Sequence, residues 1–370
     1  MSEDPLFDPA DFRIPPGVTH VCAGGQSPFL HRHDEVLLRY AADKSSGMAG
    51  RAEQDALVER IRMHVASAWT VQAPAIGFVS NVAEGVAMVA ESLDWRAGDT
   101  VAVDAVEYPS VVAPFARRPG VTLRIAQGTD PDRMANVIDR STRGIATSYV
   151  SYLTGERVRL GRLRQLADEV DALLVVDFTQ AAGCMPIDAS IADFAFSACY
   201  KWMLGMTGVA IAYWNRRRQP DWAPRSAGWY SLVPGTRGWD PPPDLRPDAM
   251  RFTRGNPAHA AVYVLDSALS YLAQVPPQAV QAHVQALSGA LLEALAARQV
   301  TCLTPHDPLR HAANVCLAHE KAGAIAEALH ARGVYAWNGQ GRVRFSFHGY
   351  NTMGDVGRIT DALDAVLREV

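Results

Sequence analysis

One lysine and one aspartate open the chemical reading of this 370-residue chain. Lys201 closes the segment ADFAFSACYKWMLG, just past an apolar strand-like run, with Tyr200 and Trp202 on either side. An amine set among small and aromatic residues loses solvation, which favours its neutral form, and condensation with an aldehyde requires a neutral amine. Asp177 stands at the carboxyl end of another apolar run, LLVVDF. Ligands of open α/β sheets bind at that end of the strands. Taken singly, each residue has a plainer reading, Lys201 as a snorkelling side chain and Asp177 as a helix N-cap.

Together they suit one cofactor. A carboxylate keeps a pyridine ring protonated so that it can accept electrons, while a lysine holds the aldehyde, and these are the two tasks pyridoxal phosphate sets a protein. Only three of the 35 basic side chains are lysine. Lys44, in DKSSG, reads as a solvated polar turn, and Lys321, after LAHE, as a surface residue opening a helix. Lys201 is left as the lysine with chemistry to do.

Other chemistries lack their patterns. No GxGxxG opens a helix after a strand, and neither GxxxxGK[ST] nor GxSxG occurs. His31 and His33, in HRHD, have no companion ligands at metal spacing and read as a helix-start or surface pair. His306, His311 and His319 are spread over a loop and a strand and read as structural. A net charge of −4 argues against sequence-independent nucleic-acid binding. The cysteines Cys22, Cys184, Cys199, Cys302 and Cys316 form no CxxC pair and fit a reducing compartment. The acidic, Pro-rich N-terminus carries no secretory pattern, and no apolar stretch approaches the roughly 20 residues of a membrane span. A cytoplasmic protein is expected, with no nucleic-acid or membrane partner.

The elements that must position these residues follow from periodicity. Prolines 5, 9, 15 and 16 make residues 1–19 an extended arm. RAEQDALVERIRMHVASAW carries apolar residues at helical spacing. Strand-like and helix-like stretches then alternate: IGFVS, TVAVDAV, VTLRIA, GIATSYV, ALLVVDF, FAFSACY and VAIAYW, with helices between them, including ones near 131–140 and 160–170. This alternation predicts a mainly parallel sheet, and runs apolar on both faces predict helices on both sides. Residues 214–257 interrupt with Pro, Gly and four tryptophans (Trp214, Trp222, Trp229, Trp239), and the loop at 222–239 is expected either to line the substrate side or to serve an interface or packing. Helices at 257–274 and 277–298 lead into a smaller α/β unit with a helix at 320–332 and a last one at 354–369. The expected division is a large domain at 20–275 and a small domain made of 1–19 and 276–370.

On these motifs the chain resembles the class V aminotransferase family of pyridoxal-phosphate enzymes, fold type I, which includes cysteine desulfurases and kynureninases. VVDFTQAAG resembles the family's D-x-x-[QH] strand end, which implies Asp177 on the pyridine nitrogen and Gln180 on the phenolic oxygen. SACYKWMLG at 197–205 resembles the lysine segment, with Lys201 carrying the cofactor and Tyr200 at a phosphate-binding place. SNVAEGVAMVAESL at 80–93 looks like the phosphate-binding strand–turn–helix, where Val82 and Ala83 would offer only backbone N–H groups. VEYPSVVAPF nominates Tyr108 to stack on the ring, and TRGNPAH nominates Asn256 to reach the neighbouring subunit's phosphate. VRFSFHGYNT nominates Arg344 for the substrate carboxylate. The resemblance thus implies a homodimer acting on an amino acid, a small-molecule substrate, through an external aldimine. An aminotransferase is expected first, with a kynureninase-like Cβ lyase or an epimerase as alternatives. A non-catalytic protein of the same fold is disfavoured by the intact set Asp177, Gln180, Lys201 and Arg344. GVYAWNGQGRVR lacks the desulfurase cysteine, which argues against persulfide chemistry.

Overall fold

The computed structural model describes residues 4–235 and 238–369. After a short strand β1 (Thr19–His20), seven strands form the main sheet: β2 (Ile76–Val79), β3 (Thr100–Asp104), β4 (Thr122–Ala126), β5 (Thr142–Ser148), β6 (Leu173–Asp177), β7 (Phe194–Ala198) and β8 (Ala210–Trp214). Their order is β2-β8-β7-β6-β5-β3-β4. Only β8 runs against the rest, pairing antiparallel with both β2 and β7. The carboxyl ends of the other strands therefore share one edge, where Asp104, Ser148 and Asp177 end β3, β5 and β6.

Side-chain alternation along β6 divides the core in two. Leu174 and Val176 enter one cluster and Val175 the other. The same holds for Ile211 against Ala210 and Ala212 on β8. Helices cover both faces: α1 (His33–Ser45), α2 (Met48–Ala68), α3 (Val82–Ser92), α4 (Pro109–Ala116), α5 (Pro131–Ala135), α6 (Leu160–Glu169), α7 (His259–Leu272) and α8 (Pro277–Ala297). This is the mainly parallel, doubly covered sheet that the alternation predicts.

The C-terminal part adds β9 (Asn314–Ala318), α9 (Ala322–Ala331), β10 (Val334–Tyr335), β11 (Trp337–Gly339), β12 (Arg342–Ser346) and α10 (Met353–Glu369). β11, β12 and β9 form an antiparallel sheet. The N-terminal arm is drawn into it. β1 pairs with β10, Cys22 bridges to Ser346, and Phe7 and Phe12 are buried against Tyr271, His348 and Tyr350. Apart from one 3₁₀ turn at Pro9–Asp11, the described residues of the arm form no helix, in keeping with its prolines.

Several expectations need correction. The helix expected near 131–140 stops at Ala135, because Asn136 caps it and the chain turns toward β5. Lys44 is exposed as expected but lies in the last turn of α1, not in a loop. His33 starts α1, yet its ring is fully buried against Phe29, so it is not a surface residue. Trp214 and Trp222 belong to the core, with Trp222 stacked on Phe252 at 4.4 Å, whereas Trp229 and Trp239 are largely exposed. Residues 236 and 237 of that loop lie outside the described residues.

Candidate active site

Lys201 follows β7 and Asp177 ends β6, and these strands are neighbours in the sheet. Both side chains are buried. Burial raises the Asp177 carboxyl above its ordinary range, against the hydrogen bond it accepts from the Thr179 amide at 2.8 Å and the attraction of Lys201. Burial, reinforced by Arg344, lowers the Lys201 ammonium to about 8, with Asp177 opposing. Desolvation outweighs mutual attraction for both partners. Among the described residues Lys201 makes no hydrogen bond or ion pair; its nearest aromatic rings are Tyr108 at 5.5 Å and Tyr200 at 5.6 Å. The chain thus keeps a desolvated amine unengaged between two phenol rings.

Glu107, between β3 and Tyr108, is an additional member. One carboxylate oxygen accepts from the Tyr108 amide at 2.6 Å and the Ser148 hydroxyl at 2.6 Å, and the other accepts from the Ser148 amide at 2.7 Å. Burial, with a smaller push from Asp177, raises it to about 7 despite those bonds. It therefore fixes Tyr108 and the end of β5 relative to Asp177. The sequence hinted at this only through an acid just past an apolar strand.

At the N-terminus of α3, Asn81 accepts from the Glu84 amide and Glu84 accepts from the Ser80 amide, at 2.9 and 2.8 Å. This reciprocal cap uses two donors and leaves the amides of Val82 and Ala83, the first two helical residues, without intrahelical acceptors. Arg254 pairs with Glu84 at 2.6 Å, and the hydrogen bond holds that carboxyl below its ordinary range against burial. Neutralising Glu84 in this way leaves the helix end suited to an anion. Asn256, two residues on, is exposed beside the same cap.

Gln180 is fully wired into the protein. Its oxygen accepts from Trp202 Nε1 at 3.2 Å and Asn314 Nδ2 at 3.1 Å, and its nitrogen donates to the Gly24 carbonyl at 2.9 Å. One N–H is left for any ligand. A Cβ on Gly24 would lie 2.8 Å from the Gln180 oxygen, so this crossing admits glycine only.

Arg344 approaches from β12. It is 2% exposed, yet no carboxylate faces it among the described residues. Nη1 donates to the Tyr152 carbonyl at 2.7 Å, Trp337 covers the guanidinium at 4.5 Å, and Nε has no partner. A buried cation without a counter-charge is poised for an anionic ligand. The tryptophans beside the site are thus Trp202, bonded to Gln180, and Trp337, over Arg344, both outside the Trp-rich loop.

These features fit pyridoxal phosphate: an unengaged buried amine, a carboxyl at the strand end beside it, phenol rings around the amine and an open helix N-terminus. The aminotransferase class-V family model matches residues 26–359. The chain belongs to that family. As a class-V aminotransferase family member it is 24% identical, over 92% of its length and 91% of the other, to a probable cysteine desulfurase of Methanothermobacter thermautotrophicus. It is 26% identical to the kynureninase of Pseudomonas fluorescens over 67% of this chain and 61% of that one. The apo cysteine desulfurase of Thermococcus onnurineus NA1 superposes with a TM-score of 0.87 at 21% identity, covering 99% of this chain and all of the other. That likeness bears out fold type I.

Proposed function

We propose that this class-V family member is a pyridoxal-phosphate enzyme that takes an amino acid, with aminotransfer as the leading reaction. The observation that carries the reading is the desolvated, unengaged Lys201 beside Asp177, with Arg344, which meets no carboxylate among the described residues, facing the same space. When bound, the cofactor supplies an aldehyde for amines and a ring that accepts an electron pair. Asp177 would hold the ring nitrogen's proton, and Tyr108, fixed by Glu107, would pack against the ring. The Val82 and Ala83 amides, with Tyr200, receive the phosphate. Arg344 grips the substrate carboxylate, and Lys201, with its depressed basicity, takes the proton from Cα and returns it elsewhere.

The desulfurase relatives favour a second reading, loss of a β-substituent. The chain between Gly333 and Arg344 carries no cysteine, so the family's usual sulfur acceptor would be missing from that loop. We further infer a homodimer in which the exposed Asn256 serves the neighbouring subunit's phosphate, and a cytoplasmic location, supported by five free cysteines. The division into a large unit at 20–275 and a small one is part of the same proposal, with the qualification that residues 19–22 pair with the small unit's strands.

The test is a spectral screen of the reconstituted protein against amino acids, with products identified by mass. Absorbance near that of bound cofactor, lost on adding an amino acid and restored by a keto acid, supports aminotransfer. Release of a side-chain fragment supports the lyase instead. Failure to bind pyridoxal phosphate overturns both.

A further inference from the structure

Cys22 was unremarkable as a sequence feature, one of five scattered thiols. In the fold it bridges to Ser346 on β12, two residues from Arg344 and on the same face of that strand. The chain then crosses the site through Gly24 and Gly25. A Cβ on Gly25 would lie 3.1 Å from the Cys22 sulfur, 3.1 Å from Trp337 Cδ1 and 3.5 Å from Arg344 Nη2. Sulfur, indole and guanidinium therefore converge on one spot, which a side chain at position 25 would crowd. Lys201, Arg344 and Tyr350 all interact electrostatically with Cys22.

The other cysteines are differently placed. Cys184, Cys199 and Cys316 are fully buried, and burial pushes the Cys199 thiol to about 12 and that of Cys316 to about 11. Cys302 is partly buried, and burial raises it to about 11. Cys22 is partly accessible and lies beside two cations. The second, independent sign of a ligand site is Arg344 itself, 2% exposed, with Nε unpartnered and Nη2 reaching the same place beside Gly25 as the sulfur.

We propose that Cys22 is a covalent-capture site for small carboxylic acids that carry an electrophilic carbon, with Arg344 holding the carboxylate while the sulfur attacks. This rests on Arg344 as the carboxylate site. With a haloacetate the Cys22 thiolate forms an S–C bond at the halogen-bearing carbon. The carbon–halogen bond breaks, the halide leaves with its electron pair, and the thiol proton goes to solvent. Capture would occupy the end of the pocket that a substrate carboxylate needs.

Iodoacetate and iodoacetamide, equal in size and different in charge, provide the test on the holoenzyme. Peptide mass mapping after brief exposure should place the label on Cys22, with iodoacetate faster by on the order of tenfold, the lower end of electrostatic steering. Excess acetate should slow the iodoacetate reaction and leave the iodoacetamide reaction unchanged. In Arg344→Gln the preference should vanish, and in Cys22→Ser the native protein should take up no rapid label. The wild-type rate ratio needs no variant to fold. First labelling at another cysteine, or no advantage for iodoacetate, overturns the proposal. Because alkylation needs no cofactor, selective labelling of a protein that binds no pyridoxal phosphate would sink the functional reading and leave this one standing.

Discussion

Lys201 and Asp177 sit at the ends of neighbouring parallel strands, two buried groups of opposite sign. Arg344 stands on an antiparallel strand of the other sheet, with no carboxylate facing it among the described residues. At the first end the protein supplies its own partial compensation: Asp177 raises the affinity of Lys201 for its proton, though burial outweighs it. At the second, carbonyl and indole contacts hold the guanidinium but cannot neutralise it. On the roles proposed above, the difference separates two jobs. A catalytic base must change protonation and so is tuned by internal charges, whereas a binding cation must keep its charge and so is left for the ligand to complete.

Four variants would break or sharpen this contrast. Lys201→Ala should lower turnover by about a thousandfold or more, the range of a lost general base, while binding of an amino acid's carboxylate persists. A modest loss in single-turnover rate would remove Lys201 from the chemistry. Lys201→Met tests the electrostatic half alone. Because the folded ammonium loses its proton at about 8, below the ordinary 10.5 of a lysine, stability of the wild-type apoprotein should rise with pH between those limits. At pH 7 both states are protonated and the penalty is complete, so Lys201→Met should stabilise by up to about 3 kcal/mol, fading above pH 8. Urea melts at pH 7 and pH 10 decide it, and an equal gain at both pH values would contradict the assignment.

Arg344→Gln belongs to the other end. It should weaken amino-acid binding by about 2 kcal/mol, the worth of charge-assisted hydrogen bonds, and leave the identity of the products unchanged. Altered product partition with normal affinity would move Arg344 out of the binding role. The smallest effect is expected from Asp177→Asn. Removing the carboxylate should lower Lys201 by about one unit further, readable as a shift in the pH dependence of amine modification. An upward shift would reverse the proposed sense of their coupling.

Legibility in the sequence follows the same divide. Asp177 and Lys201 end apolar runs, so local periodicity points at them, and the sheet that places them alternates strand and helix along the chain. Residues at the other end reach it by distant pairing. Cys22 acquires meaning only through its bridge to Ser346, Gly25 only through three groups brought from β12, β11 and the arm, and Trp337 only because β11 lies against β12 in a register that sets it opposite Arg344. No short-range spacing encodes those contacts. The Trp-rich loop drew attention by composition, yet Trp222 packs in the second core and Trp337, one aromatic of an ordinary hairpin, stands over Arg344. Gln180 was legible as a site residue, but its bonds to Gly24, Trp202 and Asn314 were not, since they join three segments.

The arm that crosses the site has a consequence for synthesis. Thr19, hydrogen-bonded to Asp355, is 336 residues away from it in the chain. A nascent polypeptide can assemble the main sheet, with its lysine and aspartate, while the first residues to emerge still lack the strands against which they must lie. The wall carrying Cys22 and Gly25 closes only when the ribosome has delivered the last strand.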